Sequence, residues 1–137
     1  MNGQMMDLPL LVASVIDHAA AWHATTEVVS RDPSGAICRA TWGEVSDRSK
    51  RLAQGLERLG VVPGTVCGSL AWNTQQHLEL FYGVSGSGAV LHTINPRLFE
   101  DQIAYIAGHA RDEWLFCDAA TLGLAEALAP RLTAVRD

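Results

Sequence analysis

Apolar residues recur at two periods along this chain, and the switches between them mark out its elements. Leu11, Val15, His18 and Trp22 repeat at three- and four-residue spacing, which predicts a helix over 10–23, with Ala19, Ala20 and Ala21 adding propensity. Two short β-rich runs follow, 26–31 and 36–41. Asp32-Pro33-Ser34-Gly35 between them is turn chemistry, so the pair reads as a hairpin. Thr41-Trp42-Gly43-Glu44 fits a capping box: the Thr41 hydroxyl accepts from the amide three residues on, and the Glu44 carboxylate reaches back. The helix it starts is expected to bury Val45, Leu52, Leu56 and Leu59. Gly60 ends it, and Pro63-Gly64 turns the chain.

Strands then alternate with helices. Residues 66–71, 89–94 and 113–117 are nearly continuous apolar runs. Between them, 74–85 is expected as a helix presenting Leu78, Phe81 and Tyr82 on one face, with Asn73 as its cap. Residues 100–110 are expected as a helix presenting Ile103, Ile106, Ala107 and Ala110, and 119–128 as a last helix ended by Pro130. Such alternation predicts an α/β fold: a parallel-rich sheet with helices on both faces, preceded by one helix and a short hairpin.

Composition narrows the function classes. Of 137 residues, 48% are apolar and 18% charged, rich in apolar residues for a small free-standing domain, so some apolar surface is expected to meet further protein. A net charge of −5 argues against nucleic acid, and the densest basic cluster, Arg48, Lys50 and Arg51, reads as a solvated helix face. Cys38, Cys67 and Cys117 lie in strand-like runs with no CxxC spacing, which suggests buried reduced thiols and a cytoplasmic setting. The apolar run 8–16 contains Pro9, is too short to span a bilayer, and has no basic segment before it, so it lacks a signal-peptide pattern.

Gly83-Val84-Ser85-Gly86-Ser87-Gly88 resembles a phosphate loop in composition but lies between a helix end and a strand start. A dinucleotide loop needs the reverse, so that amides and the helix dipole face the phosphate. Ligands of open parallel sheets gather at the carboxyl ends of the strands. Here those ends carry Trp72, Asn73 and Thr74; then His92, Thr93, Asn95, Pro96 and Arg97; then Asp118. His92 could act as a base or ligand contact, and Arg97 could hold a carboxylate or phosphate. The plainer alternative has Asn95-Pro96 as a turn, Arg97 paired with Glu100 or Asp101, and His92 donating to a backbone carbonyl. His18, His23, His77 and His109 fall on helices without metal-ligand spacing, Glu79 is a lone acid, and no serine sits in a nucleophile elbow. No catalytic set and no metal cluster emerges.

Several segments together resemble the adenylate-forming acyl-CoA synthetases, and most closely their medium- and long-chain fatty-acid ligases. They are Leu70-Ala71-Trp72-Asn73-Thr74, His77-Leu78-Glu79-Leu80, Gly88-Ala89-Val90-Leu91-His92-Thr93-Ile94-Asn95-Pro96-Arg97-Leu98, Gln102-Ile103-Ala104-Tyr105-Ile106 and Leu115-Phe116-Cys117-Asp118. Upstream, Thr41-Trp42-Gly43-Glu44-Val45, Arg51-Leu52-Ala53-Gln54-Gly55-Leu56, Leu59-Gly60-Val61 and Pro63-Gly64 are similar to the segment preceding these in the family. The resemblance implies that residues 1–137 are an incomplete N-terminal subdomain of an AMP-binding domain. It implies ATP-dependent activation of a fatty acid to an acyl-adenylate, then thioester formation with coenzyme A, with Mg2+ accompanying the ATP. The phosphate loop, the adenine and ribose motifs and the C-terminal catalytic lysine of the family are not in this chain, so it is expected to bind none of these cofactors alone and to be inactive. Implied partners are the remainder of the synthetase, the fatty acid and a second copy of the chain. The alternative is a stand-alone α/β interaction or regulatory module derived from such an enzyme. Trp72, Asn73, His92, Asn95 and Arg97 are the substrate-cleft candidates.

Overall fold

The structure is a computed structural model and describes residues 7–136. Its elements run α1 (Val12–Trp22), β1 (Glu27–Arg31), β2 (Ile37–Thr41), α2 (Trp42–Arg58), β3 (Val66–Leu70), α3 (Gln75–Gly86), β4 (Val90–Ile94), α4 (Glu100–Ala110), β5 (Trp114–Cys117) and α5 (Leu122–Leu128), closed by a 3-10 turn (Ala129–Arg131). The predicted hairpin is there: β1 and β2 pair antiparallel, with Glu27 opposite Thr41 and Arg31 opposite Ile37. So is the capping box. Glu44 N–H donates to the Thr41 hydroxyl at 3.3 Å, and Thr41 N–H donates to the Glu44 carboxylate at 2.8 Å. The Thr41 amide, and after it the Thr41 hydroxyl, which donates to the same carboxylate at 3.2 Å, hold the Glu44 carboxyl below its usual range.

The second half forms a parallel sheet in the order β4-β3-β5, with Leu70 of the central strand opposite Ile94 on one side and Cys117 on the other. Helices cover both faces, and strand alternation decides which residue meets which layer. Cys67 faces α2 and α3, where it packs with Leu56, Leu80 and Val84. Leu70 faces α4 and α5, packing with Ile94, Ile103, Ala107 and Leu128. Gly68 shares Leu70's face by the same alternation, and nothing larger fits there: a Cβ would lie 2.5 Å from Asp112 Oδ2 and 3.3 Å from Leu115 Cδ1. The glycines of 83–88 play the roles expected of a helix end and turn, with one addition. Gly86 ends α3 and Gly88 turns the chain at φ 84°, while Gly83 lies inside α3, where a Cβ would come within 2.9 Å of Leu52 on α2.

Some expected burial is not observed. On α1 the predicted stripe is inverted: Leu11, Val15 and Trp22 are exposed, and Ile16 packs inward against Ala40 and Val45. Leu59 points to solvent because it caps α2 just before the chain turns at Gly60. Phe81 stands partly exposed beside Leu78 and Tyr82, which pack on the Ile16 cluster.

The thiols also divide. Cys67 is buried, Cys38 half-buried and Cys117 exposed at the end of β5, so burial of all three is corrected. Desolvation, aided by the Glu113 and Asp112 carboxylates, pushes the Cys67 thiol up to about 11. Its thiolate fraction at pH 8 is then on the order of 1 in 1,000. Brief iodoacetamide treatment of the native chain is expected to leave Cys67 unmodified and to label it fully once urea is added. Peptide mass spectrometry reads this directly, and native-state labelling of Cys67 would refute its buried placement.

Candidate functional site

The strand ends are assembled by local caps and turns, tied together by hydrogen bonds between segments distant in sequence. After β3 the chain turns through Ala71, Trp72 and Asn73, and Thr74 caps α3: its hydroxyl accepts from His77 N–H at 3.3 Å. The cap is therefore Thr74 and not Asn73, which remains exposed at the loop tip. Capping by Thr74 sets His77 in the first turn of α3, directly over the carboxyl end of the sheet.

Two interactions bind the β3 end to the β5 end. Trp72 N–H donates to Asp118 Oδ2 at 2.9 Å, and the Thr121 hydroxyl donates to Leu70 O at 2.5 Å. Asp118 Oδ1 also accepts Thr121 N–H at 3.0 Å. Asp118 is thus a structural clamp. After β4, the Asn95 side chain accepts Arg97 N–H at 2.9 Å in an Asx turn, which aims the Arg97 side chain back across the sheet edge. The guanidinium carbon lies 5.1 Å from the centroid of the Trp72 ring. That is cation–π geometry, and Arg97 pairs with neither Glu100 nor Asp101; the Asp101 carboxylate is taken by Arg131 at 2.8 Å.

Four of the five expected residues thereby come together. Trp72, Asn73, Asn95 and Arg97 line one open cavity of about 650 Å³, together with His77 and the hairpin turn at Arg31 and Asp32. His92 does not join them. It alternates with Thr93 along β4 and so points to the α4/α5 face, where its Nδ1 lies 2.9 and 3.0 Å from the two oxygens of Asp112. Asp112 is buried, and desolvation raises its carboxyl despite the hydrogen bond from His92.

His77 is the residue that sequence reasoning passed over. It lines the cavity, and its Nε2 lies 3.0 Å from the hydroxyl of buried Ser69. Burial lowers its pKa, outweighing the Trp72 backbone hydrogen bond and the Asp118 carboxylate, so the ring is neutral at pH 7. The available signal was its place three residues after a Thr cap that follows a strand. Asp32, on the opposite wall, is held ionised chiefly by the Ser34 hydroxyl at 2.6 Å.

The cavity therefore offers a half-buried indole with one guanidinium over it, amide side chains and a neutral imidazole. Such a set can bind and orient a ligand. The Ser69–His77 pair offers the cavity no nucleophile, because Ser69 is fully buried and does not line it, and among the described residues no group of three His, Cys, Asp or Glu could hold a metal ion. No helix among them is long and apolar enough to cross a membrane.

Comparison with known proteins sets this geometry in context. A family model described as AMP-binding enzyme matches residues 16–136. The 3-methylmercaptopropionyl-CoA ligase of Ruegeria lacuscaerulensis is 48% identical over 136 residues, which is 99% of this chain and 25% of that protein. The medium-chain-fatty-acid–CoA ligase of Ectopseudomonas oleovorans is 47% identical over 118 residues, 86% of this chain and 22% of the relative. Among solved structures, an anthranilate CoA ligase in complex with anthranoyl-AMP superposes with a TM-score of 0.81 at 24% identity, over 94% of this chain and 25% of that one. The chain thus spans about a quarter of the length of the curated relatives it matches.

Proposed function

The chain belongs to the AMP-binding enzyme family, and from that premise we propose that it serves as the N-terminal segment of a fatty-acid–CoA ligase. The complete enzyme would join a fatty-acid carboxylate to ATP, releasing pyrophosphate, and then pass the acyl group to the thiol of coenzyme A. The observation that supports this reading is the coincidence of two facts: identity near one half with acyl-CoA ligases along almost the whole chain, and a ligand-sized cavity at the carboxyl ends of its strands.

The residues present do not fit Mg2+ or the ATP phosphates. The described residues offer no three-ligand cluster, and the glycine run 83–88 lies at the wrong end of its helix to cradle phosphate. No chemical step is therefore assigned to this segment. Its proposed role is positional: Trp72, Asn73, Asn95, Arg97 and His77 form one wall of a substrate cleft, and His92, locked to Asp112, braces the strand behind it. The proposed partners are the rest of the ligase polypeptide, the fatty acid and a second copy of the chain, in the cytoplasm.

Fatty-acid-dependent exchange of labelled pyrophosphate into ATP tests the reading. The full-length product of the gene is expected to support exchange, and residues 1–137 alone are expected to be silent, because charge stabilisation at the phosphates is missing. Exchange by the isolated chain would sink the positional role. A full-length product inert toward every fatty acid would sink the ligase.

A further inference from the structure

We propose that His77 is a positioning residue: carrying its hydrogen on Nδ1 and not on Nε2, it pins the Trp72 wall at the point where the cavities of this sheet edge meet. What the wall orients, the acid substrate, rests on the ligase reading above; the pin itself does not. Three open cavities lie around the carboxyl ends of the strands, of about 650, 440 and 850 Å³. The first is the polar one at Trp72 and Arg97. The second is lined by Val29 and Phe81 and the third by Leu80 and Phe116, so both are more apolar. His77 is the one residue that lines all three. A small movement of its ring therefore changes the shape of each.

Two contacts fix the ring. Ser69 faces the α2 and α3 layer by the alternation that points Cys67 there, and its hydroxyl lies 3.0 Å from His77 Nε2. The second contact is a hydrogen bond between the ring and the Trp72 backbone. Trp72 N–H is already given to Asp118 Oδ2, so the group that faces the ring is the Trp72 carbonyl. A carbonyl only accepts, and in a neutral imidazole one nitrogen donates while the other accepts. With Nε2 on Ser69, the donor to Trp72 is Nδ1. Nε2 is then the acceptor, and the Ser69 hydroxyl donates to it. Ser69 is fully buried, so its hydroxyl requires such a partner. The Trp72 peptide is thereby held from two sides. Asp118 takes its N–H at 2.9 Å, and its carbonyl receives Thr74 N–H at 2.8 Å together with the imidazole. The Arg97 guanidinium rests on the Trp72 indole, so the pin also sets where that cation stands in the cavity. A free imidazole prefers its hydrogen on Nε2, which makes the opposite tautomer a signature of these two contacts.

NMR of the imidazole carbons in histidine-labelled full-length gene product reads the tautomer, with the His77 signals assigned by their loss in His77→Gln. The Nδ1–H form is expected at pH 7. A ring with its hydrogen on Nε2, or on both nitrogens, overturns the proposal. Kinetics with octanoate as the acid test what the pin does. His77→Leu keeps much of the bulk but offers neither donor nor acceptor; it is expected to raise the KM for octanoate about tenfold, with a smaller fall in kcat. His77→Gln offers one of each and is expected to recover most of that loss. A leucine variant with an unchanged KM, or a glutamine variant as poor as the leucine one, makes His77 mere packing and overturns the proposal. The two readings fail separately. An inert full-length product whose His77 carries its hydrogen on Nδ1 sinks the ligase and leaves the pin standing. An active one with the hydrogen on Nε2 sinks the pin alone.

Discussion

Gly68→Ala is expected to destabilise the chain by about 3 kcal/mol, although it adds a single methyl group. The new carbon would lie 2.5 Å from Asp112 Oδ2 and 3.0 Å from its Cγ. An aspartate side chain is too short to swing aside, and this one is buried with both oxygens on His92. The added Cβ either pushes the carboxylate off the imidazole or pushes β3 away from β5. Overpacking alone costs about 1–3 kcal/mol, and separating a buried charged group from its partner adds to it. The urea midpoint measures the loss. A double-mutant cycle with Asp112→Ala sharpens the test, because removing the carboxylate relieves the clash and the two losses should fall short of their sum. Strict additivity, or a loss under about 1 kcal/mol, would show that Gly68 is not there to make room for Asp112.

Leu70→Ala is expected to cost about 3–4 kcal/mol, with a thermal midpoint lower by roughly 12–16 °C. Leu70 is fully buried at the centre of the sheet and contributes to the core that holds α4 and α5 against it. Its carbonyl receives the Thr121 hydroxyl, so a cavity there loosens the start of α5 as well. Calorimetry with matched urea curves would decide; an unchanged midpoint would mean that the α4/α5 layer is held by something other than this core.

Much of the fold is legible because period and punctuation agree. The capping box, the hairpin turn and the strand–helix alternation are local signals, and each appears in the structure within a residue or two of its expected place, except that α5 starts at Leu122 rather than 119 because residues 119–121 form the turn held by Asp118 and Thr121. α1 shows where such signals stop. It carries apolar residues on more than one face, and periodicity alone cannot choose the one that packs; the structure turns Ile16 inward and leaves Leu11, Val15 and Trp22 facing out. Two histidines make the same point at the site. His77 has no metal-ligand spacing to single it out in the sequence, yet its place just after the Thr74 cap puts it over the strand ends. Nearness in sequence groups His92 with Asn95 and Arg97. Strand alternation sends it to the other face, and its partner, twenty residues away at Asp112, leaves no trace in the local pattern.

The clamp at Asp118 has a mechanical consequence. Through Trp72 N–H and the Thr121–Leu70 hydrogen bond, the loops after β3 and β5 behave as one stiff jaw. Among the described residues no hydrogen bond joins the Asn95–Arg97 turn to that jaw; the link is the guanidinium resting on the indole. Compliance at the mouth of the cavity is therefore concentrated in a single turn. Any widening there would lift the cation from Trp72, and with Trp22, Trp42 and Trp114 replaced by phenylalanine the remaining indole emission would report it without an added label.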